Sequence, residues 1–186
     1  MALEFSEQDL QEIVELTGRL LEKEDRFICE CLRGNEVYRN DRNVIDDFVD
    51  ERYLQRIALK ALLPSFRFGV RLEREERADI ALFKSFQEDP VAVGEMKRAM
   101  RGSANADIRE IREGIERLAA RRCRQFLLIF TRNPKLAAEE NIRHLLGETG
   151  CSEKTRYDYA FDTVYPDHPN HVEQNGQFAV IGVLLQ

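Results

Sequence analysis

A chain of 186 residues, 43% hydrophobic and 33% charged, has the make-up of one water-soluble globular domain, and no apolar run approaches the roughly 20 residues of a membrane span. The opening MALEFSEQDL is acidic and lacks the basic start and apolar centre of a signal peptide, so a cytoplasmic location is expected, with no membrane partner. The net charge of −6 conceals a division: residues 1–51 hold 15 acids against 6 bases, and residues 97–135 hold 11 bases against 4 acids.

Ser6 to Leu32 predicts a long helix. Ser6 with Asp9 resembles a capping pair, and Leu10, Ile13, Val14, Thr17, Leu20, Leu21, Phe27, Ile28 and Cys31 recur at helical spacing. Its acidity argues against contact with a polyanion, so it is expected to pack on the core or on a second copy of itself. Gly34-Asn35 ends it, and Asn35–Asn43 reads as a polar linker. A second helix spans Glu51–Leu63 and stops at Pro64. Phe66–Glu73 alternates as a strand. Ala78–Phe83 and Val91–Met96 read as two strands around the turn-like Ser85–Asp89. Ser103 and Asn105 are candidate caps for a helix over Ala106–Arg122, with Ile108, Ile111, Ile115 and Leu118 as its apolar stripe. Gln125–Thr131 reads as a buried strand. Asn133-Pro134 opens a helix that is expected to stop at Gly147. Tyr157–Tyr165 and Gln177–Leu185 complete the chain as strands.

The chemistry concentrates in the central hairpin. A symmetric loop pairs Lys84 with Pro90 and sets Asp79 opposite Glu95; Lys97, two residues on, shares their face. Two carboxylates about 4 Å apart repel by roughly 4 kcal/mol at an effective dielectric near 20. A divalent cation would reverse that sign, and hard oxygens suit Mg²⁺, with Mn²⁺ as a substitute. A lysine beside the ion can orient or deprotonate an attacking water and neutralise charge building on a phosphate. The plain alternative is a surface hairpin in which Lys97 bridges two exposed acids.

With Glu95-Met96-Lys97 ending an apolar strand and Asp79 opening the one before, the chain resembles the PD-(D/E)XK nuclease superfamily, the restriction-endonuclease-like fold. Within it, the nuclease domain of type I restriction motor subunits is the nearest likeness. The resemblance covers residues 44–132 and implies an α/β (α+β) fold with an αβββαβ core. Residues 1–43 are then an N-terminal helical extension and 133–186 an added helix and strands, all in a single domain. Ala78 stands where the family name has proline. The resemblance implies a Mg²⁺-dependent endonuclease, with Asp79 and Glu95 as metal ligands and Lys97 as the catalytic lysine. Family members often carry a further acid on the first helix. Glu51 is the candidate, Asp47 and Asp50 are rivals, and a favourable charge at a helix N-terminus is the structural alternative.

Clustered arginine beside such a site suits a phosphate backbone, and Arg98, Arg101, Arg121 and Arg122 are the candidate nucleic-acid contacts, with DNA as the expected partner. Arg109, Arg112 and Arg117 alternate with Glu110, Glu113 and Glu116 and read as a solvated helix face. Pro166-Asp167 spells part of the family motif with no (D/E)-x-Lys after it. Asp167, His168 and His171 could be read as metal ligands, but two histidines in a proline-rich loop with no third well-placed partner read as a loop, and His144 reads as surface or packing. Cys29, Cys31, Cys123 and Cys151 have no zinc spacing and read as reduced thiols. The competing functions are a catalytically silent nucleic-acid- or protein-binding module on the same fold, and a dimerising protein working through its acidic helix; one active centre per chain would call for a homodimer or sequential nicks to cut both strands.

Overall fold

The computed structural model describes residues 4–32, 49–72, 78–85, 89–99, 105–119, 121–133, 143–144, 147–148, 156–163 and 177–185. Among these, three helices and six strands follow in the order α1 (Glu7–Leu32), α2 (Glu51–Leu62), β1 (Gly69–Leu72), β2 (Ile80–Phe83), β3 (Ala92–Arg98), α3 (Asn105–Ala119), β4 (Arg124–Asn133), β5 (Arg156–Asp162) and β6 (Gln177–Leu185). The strands form one sheet in the order β1-β2-β3-β4-β6-β5. Only β3 and β4 run parallel, joined through α3; the other pairs are antiparallel.

Helices cover both faces of the sheet, because its central strands are apolar on both sides. One core joins Leu10, Ile13, Val14 and Leu21 of α1 and Leu54, Ile57 and Leu62 of α2 to Ile80, Leu82, Met96, Phe126, Leu128, Phe130, Phe178 and Val180. The other joins Ile108, Ile111 and Leu118 of α3 to Ala81, Phe83, Val93, Leu127, Ile129, Ile181 and Val183. The mixed α+β class is therefore as expected, and α1 packs on the core.

Local chemistry fixes the ends of the elements. The Ser6 amide donates to Asp9 Oδ2 at 2.6 Å, and the Asp9 amide donates back to Ser6 Oγ at 3.4 Å, closing the expected capping box. Asp9 also accepts from Arg67 Nε at 2.5 Å and Nη2 at 2.6 Å, tying the start of α1 to the segment before β1. Gly182 of β6 lets α1 lie close, since a Cβ there would meet Val14 Cγ2 at 2.5 Å and Leu10 Cδ1 at 3.0 Å. Asp50 caps α2 by accepting from the Tyr53 amide at 2.7 Å, which sets Glu51 as the first helical residue.

Several boundaries differ from expectation: β1 begins at Gly69 rather than Phe66, and β2 at Ile80 rather than Ala78. Arg121 and Arg122 lie in the connection to β4, not in α3: the Arg121 amide closes a tight turn onto the Leu118 carbonyl at 2.8 Å. Gly147 is helical together with Glu148, so it does not stop the helix there. A glycine stops a helix only where the backbone turns left-handed, and an interior glycine merely weakens it. The linker over 35–43 and Ser103 fall outside the described residues. No helix among the described residues is long and apolar enough to cross a membrane.

Candidate active site

The register Ile80↔Gly94, Ala81↔Val93 and Leu82↔Ala92 is that of the symmetric turn. At Asp79 the regular ladder ends. Its amide donates to the Gly94 carbonyl at 3.0 Å, although Gly94 already faces Ile80, and its Oδ2 accepts from the Met96 amide at 2.6 Å. The carboxylate of Asp79 thus lies along the β3 backbone between Gly94 and Lys97. Gln55 of α2, one turn after Glu51, donates to its other oxygen at 3.0 Å.

Glu95 and Lys97 sit on the β3 face that packs on α3. Lys97 Nζ is 3.2 Å from Glu95 Oε1 and 3.3 Å from Glu51 Oε1, so one ammonium bridges a strand acid and the first residue of α2. The second oxygen of Glu51 accepts from the Arg98 amide at 3.5 Å. Arg117 of α3 donates to the same Oε1 of Glu95 that Lys97 contacts. Exposure separates these groups: the side chain of Glu95 is 2% exposed, Lys97 11%, Glu51 35% and Arg117 38%. The cluster is a half-open recess with a buried floor.

Its electrostatics follow from that geometry. Burial, and then the charge of Glu95, raise the Asp79 carboxyl from 3.8 to about 6, against the Met96 hydrogen bond and the charge of Lys97. Burial works to lower the Lys97 ammonium, but Glu51, Glu95 and Asp79 outweigh it and its pKa rises. Lys97 therefore stands as a charged donor, which suits orienting a water or anion better than removing a proton. Asp79 and Glu95 repel in the expected way, and the cations that offset this come from Lys97 and Arg117.

No family model, curated protein or solved structure matches this chain. Its own geometry has to carry the reading.

Of the expected site residues, Glu51, Asp79, Glu95 and Lys97 come together. Among the rivals for the helix acid, Asp50 is spent on the α2 cap, and Asp47 lies outside the described residues. Arg98 alternates with Lys97 along β3, which turns it to the opposite face. Arg124 pairs with Ala92, three residues before Glu95, so Arg121 and Arg122 enter β4 about 10 Å or more from the acids. Arg101 lies outside the described residues, as do Asp167, His168 and His171. His144 is exposed. Among the described residues Cys29, Cys31 and Cys123 form no disulfide, with Cys29 buried and Cys31 exposed.

Sequence reasoning missed Gln55, Gly114 and Arg117. Arg117 was expected on a solvated face; instead it points at Glu95, while Arg109 pairs with Glu113 at 3.8 Å and Arg112 with Glu148 at 3.1 Å. The available signal was Gly114, a glycine inside the apolar stripe of α3 and one turn before Arg117. A Cβ at Gly114 would lie 2.7 Å from Glu95 Cγ, so its absence is what admits the acid against the helix. For Gln55 the signal was its spacing of four from Glu51.

Proposed function

We propose that the chain is a Mg²⁺-dependent nuclease of the PD-(D/E)XK type, hydrolysing phosphodiester bonds in DNA. The observation that carries this is the meeting of Asp79, Glu95 and Lys97 at one half-open recess, with Glu51 holding the lysine. The order α2-β1-β2-β3-α3-β4, with β3 and β4 parallel, supports it, since the core of that family runs helix, three strands, helix, strand.

The donor set suits the ion. Among the described residues no three His, Cys, Asp or Glu side chains cluster as a metal cage. Mg²⁺, however, is usually held by one or two carboxylates together with waters and substrate phosphates. Asp79 and Glu95 would hold it, and it would supply charge neutralisation at the scissile phosphate. The remaining work falls to the chain. Lys97, kept protonated by three carboxylates, donates to the attacking water or to the phosphate oxygens. Glu51 fixes its direction, and Gln55 and the Met96 amide fix the Asp79 carboxylate. Arg121 and Arg122, in the connection to β4 about 10 Å or more from the acids, are the residues proposed to contact neighbouring phosphates.

A second reading is favoured by one observation: Lys97 and Arg117 already neutralise Glu95, as in a nuclease-fold module that binds nucleic acid or protein without cutting. Incubation of supercoiled plasmid with Mg²⁺, with a chelator control, separates the two. The nuclease reading expects nicking that disappears with chelator and in Asp79→Ala and Lys97→Ala. Cutting by Asp79→Ala at the parental rate would refute it. Salt-sensitive DNA binding without nicking would support the binding module.

A further inference from the structure

We infer that Arg117 is a displaceable counter-ion: it holds the Glu95 carboxylate while no divalent ion is bound and releases it when one binds. This rests on the nuclease reading and adds a positioning residue to it. Three observations lead here. First, Lys97 and Arg117 converge on the same oxygen of Glu95, so two cations share one acceptor. Second, the two are held differently. Lys97 is nearly buried and also paired with Glu51, whereas the Arg117 side chain reaches the recess from the rim of α3 and keeps more than a third of its surface in water. Of the two, Arg117 leaves at the smaller cost, because its side chain is already partly exposed to water.

Third, Arg117 has somewhere to go. Glu113 lies one turn back on α3, is exposed, is held by Arg109 only at 3.8 Å, and already acts on the Arg117 charge, so a released guanidinium swings to share this i−4 partner with Arg109. Gly114 stands between the two positions and presents no side chain to the recess. The arginine thus has two arrangements, on Glu95 or beside Glu113, and ion binding favours the second. In the second it lies at the mouth of the recess, where a phosphate anion would enter.

The test is titration of the full chain with Mn²⁺, followed by the loss of free Mn²⁺ electron paramagnetic resonance signal, for wild type, Arg117→Met and Arg117→Lys. Melting in chelator confirms that each variant is folded, and Arg117→Gln replaces Arg117→Met if the latter fails to fold. Removing the competing cation is expected to tighten Mn²⁺ binding about tenfold, within the range usual for coupled sites. Arg117→Lys, which keeps the charge, is expected to bind close to wild type. Equal or weaker binding by Arg117→Met, with wild type still binding, would overturn the counter-ion role and leave the metal-site reading standing. Absence of Mn²⁺ binding in every variant would overturn both.

Discussion

Replacing Gly114 with alanine tests whether Glu95 is seated against α3. In a helix interior this change ordinarily stabilises by about 1 kcal/mol, because glycine loses more backbone entropy on folding. Here the new Cβ would stand 2.7 Å from Glu95 Cγ, 3.3 Å from Cδ and 3.4 Å from Oε1. Glu95 cannot step aside easily, since it is buried and held by Lys97 and Arg117. Forcing a methyl into a filled site costs about 1–3 kcal/mol, so the net effect is a loss of about 1 kcal/mol, or about 2–4 °C in Tm for a chain of this size. In a Glu95→Ala background the obstructing atoms are gone, and the same substitution should stabilise by about 1 kcal/mol. The two effects differ in sign, an interaction of about 2 kcal/mol that lies within the range for residues in contact. Urea unfolding of the four proteins in chelator measures it. If Gly114→Ala shifts both backgrounds by the same amount and sign, Glu95 does not rest on α3 and the packing argument fails.

Asp79 gives a pH prediction. Its carboxyl is raised from 3.8 to about 6, so between those values the folded chain holds a proton that the unfolded chain has released. Stability from this group is complete below about pH 4 and is lost as pH rises through 6. In chelator, Asp79→Asn should match wild type near pH 4 and exceed it at pH 7.5 by on the order of 3 kcal/mol; parallel curves would contradict this. Glu51→Gln removes one of the three carboxylates that act on Lys97 and should slow Mg²⁺-dependent cleavage about tenfold. Asp50→Ala should lower stability by about 1 kcal/mol through the lost cap, with cleavage rates unchanged. Asp9→Ala breaks the α1 capping box and strands Arg67, and a loss of about 2–3 kcal/mol in urea unfolding is expected.

Much of the fold was legible because its signals are local. Glu51 and Pro64 bracket α2, Ser6 and Asp9 open α1, and the turn-like Ser85–Asp89 implies the β2–β3 register. The chemical site was legible for the same reason, since Asp79, Glu95 and Lys97 are carried by one hairpin whose period of two is fixed by strand geometry. The contributions of other elements were not. Arg117 reads as a solvated arginine in a run of alternating charge, and only the packing of α3 on β3 turns it toward Glu95. The insertion of β6 between β4 and β5 is a long-range pairing that no local pattern encodes. At Asp79 the ladder ends early because the carboxylate takes the Met96 amide, a competition of side chain with backbone that the alternation of apolar residues does not reveal.

The most direct measurement is anomalous X-ray scattering from a crystal of the protein soaked in Mn²⁺. The account predicts one peak within about 2.2 Å of carboxylate oxygens of both Asp79 and Glu95, with Lys97 still beside it and Arg117 withdrawn. A crystal saturated with Mn²⁺ that shows no peak there, and Glu95 still held by Lys97 and Arg117, would contradict it.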